Sequence, residues 1–447
     1  MRRFSRLSGA LVAAAVCLGA AAGPSVQFTD TKLKNGLRVL IAEDPSAPPF
    51  SVAVTYKVGS ADERAGRTGF AHLFEHMMFK GSENVGPGEH PTLIFNYGGS
   101  MNGTTNQDRT LYYDTLPSNQ LELALFLEGD RMRSLAITKE NLDNQRNAVQ
   151  EERRLGVDNQ AYGRTFERII DQAYDNPAYK HSTIGSMEDL NAANVDDVAS
   201  FFRTYYAPNN AVVAIVGDVD TQRTLALVEK YFGRIASQPA PSRPDLREPA
   251  HAAERRSTID DPLARLARID IAWLIPPGGS PDSDALDVLQ DVLAGGRSSR
   301  LNEVIVRQKQ LASNAGAFGD ENRGPGLFRV TATLQPGKDP AAVEAAVYEE
   351  IDKLKETPIA EWELDKARNN ARRNAASALG STLRRAIMLT EYAAFYDDPN
   401  LINTRTDRVL KVTAADVQRV AAKYLTKENR SVVTTMPKAG PGRGGAQ

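Results

Sequence analysis

A chain of 447 residues is too long for one hydrophobic core of ordinary size and predicts at least two domains. With 41% hydrophobic and 25% charged residues and a formal charge of −2, it reads as a globular protein, neither disordered nor membrane-spanning. No basic tract invites nucleic acid as a partner, and after the N-terminus no apolar run reaches membrane length, so no transmembrane segment is predicted.

The chain opens with Met1-Arg2-Arg3-Phe4-Ser5-Arg6, then an apolar run from Leu11 to Leu18, then Ala20-Ala21-Ala22. A charged start, a short apolar middle and small residues at the end predict a signal peptide over residues 1–22, and a periplasmic or secreted mature protein. Cys17 offers lipoprotein processing as the minor alternative, since Val16 before it is the wrong size for that processing site. Removing the segment takes away three Arg and the only Cys, leaving 51 basic against 56 acidic side chains, a formal −5. Any metal in the mature chain is then held by His and carboxylate, without thiolate.

Leu33 to Ala42 carries an Asn35-Gly36 hairpin signal. Phe50 to Val58 is predicted as a strand, with Val52, Val54, Tyr56 and Val58 on one face. Next comes Gly69-Phe-Ala-His72-Leu-Phe-Glu75-His76-Met-Met-Phe79-Lys80-Gly81. Thr68 as N-cap, apolar Phe70, Leu73, Phe74, Met77 and Met78 at helical spacing, and Gly81 as a stop predict a helix. His72 and His76 then lie one turn apart on one face, where two neutral imidazoles reach the same tetrahedral Zn²⁺. Glu75 points beside that metal, the place for a general base. His-x-x-Glu-His is the inverted zinc-peptidase order, but histidines four apart on a helix are also common without metal, so a third ligand is required.

Gly98 to Tyr113 is rich in Thr and Tyr yet broken by Gly, which predicts an edge strand able to accept an extended peptide, or simply an exposed hairpin. Helices are predicted from Ser118 to Leu135 and from Thr138 to about Leu155. In the second, Leu142, Gln145, Val149 and Glu152 form one inward stripe, while Glu151, Arg153 and Arg154 read as solvated surface. Glu152 is thus the third-ligand candidate, completing a His₂Glu set with one open position, and Gln145 on the same stripe is placed to orient it. Asp196 to Tyr206 is predicted as a helix and Asn210 to Val216 as a strand. The remaining histidines, His90, His181 and His251, have no partner at ligand spacing and read as loop or surface residues.

The Pro-rich stretch from Ala236 to Pro249 reads as an extended linker. Beyond it the pattern repeats. Ile269, Ile271, Trp273 and Ile275 alternate as Val52 to Val58 do, and a helix from Ser283 to Leu293 follows. Sliding by 217 residues puts Leu289, Val292 and Leu293 where His72, Glu75 and His76 stand, so the motif has become apolar core. Asp416 to Tyr424 and Asn429 to Val433 echo the Asp197 and Asn210 segments. The expected architecture is α+β: two homologous halves, each a mainly antiparallel sheet packed with helices, joined by the Pro-rich linker. The expected units are an N-terminal metal-binding domain (24–235), a linker (236–255), a C-terminal domain without metal (256–437) and a loose tail (438–447).

The His72-to-Gly81 motif, the acidic residue 76 positions after His76, the Asn102-Gly103-Thr104-Thr105 segment and the duplicated halves together resemble the pitrilysin/insulinase family of zinc peptidases, in its short processing-peptidase-like branch. The resemblance spans nearly the whole mature chain. It implies one Zn²⁺ per chain on His72, His76 and Glu152, Glu75 as the base, and Asn102, Gly103 and Thr104 as contacts to peptide substrates. It also implies a bowl-like enclosure favouring unfolded peptides. Two positions depart from the family pattern. Gln145 stands where a charged Glu often sits, and Arg307 lacks the Tyr that normally follows it, since Ser313-Asn314 occupy that place. Half of a substrate-backbone grip is absent, which implies a heterodimer with a homologous chain supplying the Arg/Tyr set, with an active homodimer as the alternative. A non-catalytic scaffold or partner subunit is the competing class, but such chains usually lose the motif that is whole here.

Overall fold

The computed structural model describes residues 25–438, so the expected signal peptide and nearly all of the tail lie outside the described residues. The first sheet comprises β1 (Thr29–Lys32), β2 (Arg38–Glu43), β3 (Pro49–Tyr56), β4 (Ser100–Thr105), β5 (Thr110–Pro117) and β6 (Ala211–Gly217), in the order β1-β2-β6-β3-β5-β4. Only β2 and β6 run parallel. The second comprises β7 (Arg255–Asp261), β8 (Arg268–Ile275), β9 (Ala312–Gly319), β10 (Gly326–Leu334) and β11 (Arg430–Pro437), in the order β7-β11-β8-β10-β9, with β7 and β11 parallel. Setting β1 aside, the two orders correspond strand for strand. The repeat legible in the sequence is therefore a repeat of topology, and the fold is two mainly antiparallel sheets packed with helices.

Val52, Val54 and Tyr56 of β3 pack into one core with Leu73, Phe74 and Met77, as alternation requires. The residues between them are buried as well. A helix from the far end of the chain, Thr382–Phe395, lies on that second face, with Ala386, Leu389 and Ala393 against Ala53, Val212 and Ala214. Ser51 and Thr55 exchange hydroxyl hydrogen bonds with Thr382 and Thr390 at 2.9 and 2.8 Å. Complete burial of Leu389 alone contributes about 1.5–3 kcal/mol to this contact. The exchange is reciprocal. Helix Gly163–Ala173 of the first half sets Ile169, Ile170 and Ala173 on Ala272, Leu327 and Val433 of the second sheet.

A polar seam joins the two hairpins. Asp108, in the β4–β5 turn, accepts from the backbone N–H of Arg323 at 2.7 Å, from its Nε at 3.0 Å and from the Tyr179 hydroxyl at 2.9 Å. The Pro-rich stretch has no helix or strand, yet Arg243 donates to the Lys57 carbonyl and Asp62, and Glu248 accepts from the backbone of Asp175 and Asn176. Among the described residues no helix is long and apolar enough to cross a membrane.

Candidate metal centre

The histidine helix spans Phe70–Met77, shorter than the sequence reading at both ends. Its N-cap is Gly69, in the left-handed region at φ 87, and a Cβ there would lie 2.6 Å from the Ile184 carbonyl oxygen. Thr68 instead hydrogen-bonds Asp189, and Gly81 lies beyond the helix end. The first-turn amides are satisfied from outside the helix: the Glu63 carboxylate accepts from the N–H of Gly69 at 2.9 Å and of Ala71 at 2.7 Å. Glu63 is wholly buried, and burial pushes its carboxyl up against the opposing pull of those two bonds. The sequence signal for it is an acidic residue six positions before the N-cap of an amphipathic helix.

The second helix, Lys139–Arg153, starts at Thr138, whose hydroxyl caps the Asn141 N–H at 3.1 Å. Leu142, Gln145 and Val149 are buried along the expected stripe, and the stripe ends on Glu152, half-exposed at the rim. The Nε2 atoms of His72 and His76 lie 3.6 and 3.3 Å from the same oxygen, Oε2 of Glu152, and one ligand atom from each residue falls within 4.8 Å of the others. Two donors each about 2.0–2.1 Å from a tetrahedral zinc stand roughly 3.4 Å apart. The three residues therefore fit that ion. Burial, reinforced by the neighbouring imidazole of His76, pulls His72 down to about 4, so its ring is neutral and free to ligate near pH 7. Contact with the His76 ring holds the Glu152 carboxyl below its ordinary range.

Glu75 faces the edge strand. Thr105 Oγ1 donates to Glu75 Oε2 at 2.6 Å, and a Cβ on Gly103 would press to 2.9 Å from Glu75 Cγ. Burial raises the Glu75 carboxyl, the Thr105 bond partly offsetting it. Gly103 is thus the position that leaves room for Glu75. Asn102 is exposed on the same strand with its side chain on the Gly103 N–H, while Arg109 donates to both the carbonyl and the hydroxyl of Thr104. β4 lies at the sheet edge, paired on one side only.

Two other candidates do not join the cluster. Gln145 donates to Asn144, and among the described residues no hydrogen bond ties it to Glu152. Arg307, 64% exposed on the π-helical segment Leu301–Gln308, bonds Glu303 one turn away rather than any residue of the centre. Several surface readings are overturned. Arg153 is largely buried and spans Glu167 at 2.6 and 3.0 Å and the Gly185 carbonyl at 2.7 Å. His90 is buried on helix Glu89–Asn96, whereas His251 lies on a loop as expected but is buried there, bonding the Ala173 carbonyl at 2.8 Å.

His90 joins Asp114 and Glu128 in a second group with ligand atoms within 4.8 Å. There the Arg131 guanidinium already bonds both Glu128 oxygens and lies 4.5 Å from the Tyr112 ring centre, so this is an internal ion network rather than an open cradle. Burial pushes Asp114 up to about 6 and Glu128 up to about 7, with one guanidinium facing two carboxyls.

In the second half, helix Ser283–Ala294 buries Leu289, Val292 and Leu293 in the core. A family model described as insulinase, peptidase family M16, matches residues 38–186, and one described as the peptidase M16 inactive domain matches 192–371. The zinc protease PqqE of Helicobacter pylori is 30% identical over 445 residues, covering 98% of this chain and all of that one. The chain belongs to the insulinase (M16) peptidase family. The crystal structure of a protease from Helicobacter pylori superposes on this M16 chain with a TM-score of 0.88 at 29% identity, over 92% of this chain and all of that one. The periplasmic protease PqqL of Escherichia coli gives a TM-score of 0.75 at 19% identity, over 93% of this chain but 48% of that one.

Proposed function

We propose that this M16 chain is a zinc-dependent endopeptidase acting on peptides or unfolded polypeptides, with His72, His76 and Glu152 as metal ligands and Glu75 as general base. The observation that carries this reading is the convergence of both Nε2 atoms on one Glu152 oxygen, at 3.6 and 3.3 Å, beside a buried Glu75. Zinc held there supplies a Lewis acid that polarises a scissile carbonyl and makes water more acidic. Glu75, its carboxyl raised by burial, takes the proton of the attacking water and hands it to the leaving amine. Thr105 fixes the carboxylate's direction. A peptide added as a further strand along β4, against Asn102, Gly103 and Thr104, runs past Glu75. Replacing Glu75 by Gln keeps zinc content at about one per chain and abolishes turnover in this mechanism; near-wild-type cleavage by that variant sinks the base assignment.

The same reading makes the working unit a heterodimer with a homologous chain that supplies the missing Arg/Tyr grip, and a homodimer the alternative. It is supported by the absence of a Tyr after Arg307, by the engagement of Arg307 with Glu303, and by the PqqL chain being about twice as long as this fold. A secreted or periplasmic setting follows from residues 1–22. The opposing reading, a non-catalytic partner subunit, draws on the same missing Tyr. Cleavage of peptides by the chain purified alone, abolished by chelator, excludes that reading and overturns the heterodimer; cleavage only after co-purification with a second chain supports it.

A further inference from the structure

The two helices that carry the candidate metal ligands are tied to the same short loop, residues 182–186. On the side of the histidine helix, the Thr68 hydroxyl accepts from the Ser186 N–H at 3.1 Å, and Thr68 donates its own N–H and O–H to Asp189. The approach leaves no room for side chains: Gly69 abuts the Ile184 carbonyl, and a Cβ on Gly185, at φ 71, would collide with the Thr68 carbonyl. On the side of Glu152 the tie is the next residue along the helix. Arg153 donates to the Gly185 carbonyl at 2.7 Å and to the two Glu167 oxygens at 2.6 and 3.0 Å, and Glu167 also accepts from the Ser182 hydroxyl at 2.7 Å. One guanidinium thus closes a frame around both helices.

Glu152 stands where such a frame matters. It lies on the last turn of helix Lys139–Arg153, and helix ends fray. Beyond it the chain winds into the π-helical turn Arg154–Asp158. The Glu152 carboxylate is half-exposed, and among the described residues no hydrogen bond from outside the centre holds it. The middle of the helix is anchored separately, Arg146 on the carbonyls of Leu190 and Ala193 and Gln150 on Asn191. The last turn rests on Arg153. A planar guanidinium suits that task, because three hydrogen bonds in fixed directions set rotation as well as distance, which the single ammonium of a Lys does not.

We propose that Arg153 is a positioning residue for the metal: it holds the Glu152 oxygen within reach of both imidazoles and so sets the affinity of the site for zinc. The inference rests on the metal reading of the centre and adds to it the role that the sequence assigns to Gln145, whose amide turns to Asn144 instead. The sign of the effect separates position from charge. As a cation beside a divalent site, Arg153 repels the metal, so its removal tightens zinc binding by charge alone. As a brace, its removal frees the last turn and weakens binding by about 10–100-fold, the range that follows loss of groups orienting metal ligands.

The test measures zinc affinity of the purified full-length chain by competition with a chromophoric chelator, at a temperature where thermal melts show every metal-free variant folded. Arg153→Ala is expected to bind zinc about 10–100-fold more weakly than wild type, with Arg153→Lys and Glu167→Gln in between. Arg154→Ala removes the adjacent exposed cation, paired with Glu151, and is expected to stay within about twofold of wild type. If Arg153→Ala does not fold, the Lys and Gln variants decide. Wild-type or tighter zinc binding in both of them overturns the brace, as does an equal loss in Arg154→Ala. A lower melting midpoint with unchanged zinc affinity makes Arg153 a structural residue only and overturns it too. A wild-type chain that binds no zinc removes the metal centre and the brace together, an outcome distinct from wild type and variants binding zinc alike, which removes the brace alone.

Discussion

Gly103 tests the coupling of the edge strand to Glu75, the proposed base, because the atoms nearest to a methyl group added there all belong to that side chain. The added Cβ would stand 2.9 Å from Glu75 Cγ, 3.0 Å from Oε1 and 3.3 Å from Cδ. Ordinary carbon contacts lie near 3.5–4.0 Å, so Glu75 has to retreat by roughly 0.5–1 Å. Its hydrogen bond to Thr105, 2.6 Å long, then stretches or turns. The backbone of β4 at Gly103 is not left-handed, so Ala fits the strand itself and the cost falls on the base rather than on folding. A displacement of that size at a proton-transferring group lowers the rate by about 10–100-fold. Steady-state cleavage of a fluorogenic peptide by Gly103→Ala, with zinc content and thermal midpoint measured alongside, is expected to show that loss in kcat with one metal still bound. Wild-type kcat in a protein confirmed by mass to carry the substitution would refute the contact between strand and base.

Three further expectations follow from particular residues. Removing the Glu63 carboxylate by Glu63→Ala leaves the Gly69 and Ala71 amides without partners, and is expected to cost about 1–2 kcal/mol and to lower the thermal midpoint of the first half; an unchanged midpoint would count against the cap. Asp114 at about 6 and Glu128 at about 7 both lie above the unfolded carboxyl range of about 4. Their stabilising contribution is therefore complete below about pH 4, is lost as pH climbs through 6 to 7, and is gone above about pH 8. Chemical denaturation from pH 5 to 8 is expected to show falling stability across that window, with a shallower fall in Asp114→Asn. Zinc at 100 times its dissociation constant stabilises the folded chain by about 2.7 kcal/mol, so adding it to metal-free protein raises the midpoint in wild type and fails to do so in His76→Ala.

The elements that carry their own periodicity were readable in advance. Val52, Val54 and Tyr56 alternate, the stripe Leu142, Gln145, Val149 is continuous, and Leu289, Val292 and Leu293 stand in the place of the motif. The inverted motif and the distant acid at Glu152 were legible because local spacing fixes which face of a helix each side chain occupies. What escaped depends on contacts distant in sequence. Nothing near Ser51 or Ala53 announces that a helix more than 300 residues later covers them. Arg153 looked like surface charge until Glu167 and the Gly185 carbonyl were brought to it, and His90 looked solitary until Asp114 and Glu128 closed around it. Gly81, a natural stop, predicts a longer histidine helix than the one that forms, which already ends at Met77. Gln145, placed by the stripe to orient Glu152, turns its amide to Asn144 instead.

The most direct measurement is anomalous diffraction at the zinc absorption edge on crystals of the purified full-length protein. One peak is expected within about 2.0–2.2 Å of His72 Nε2, His76 Nε2 and a Glu152 oxygen, with Glu75 beside it and not bound to it. A peak elsewhere, or a peptide-cleaving protein with no metal between these three side chains, would contradict the account.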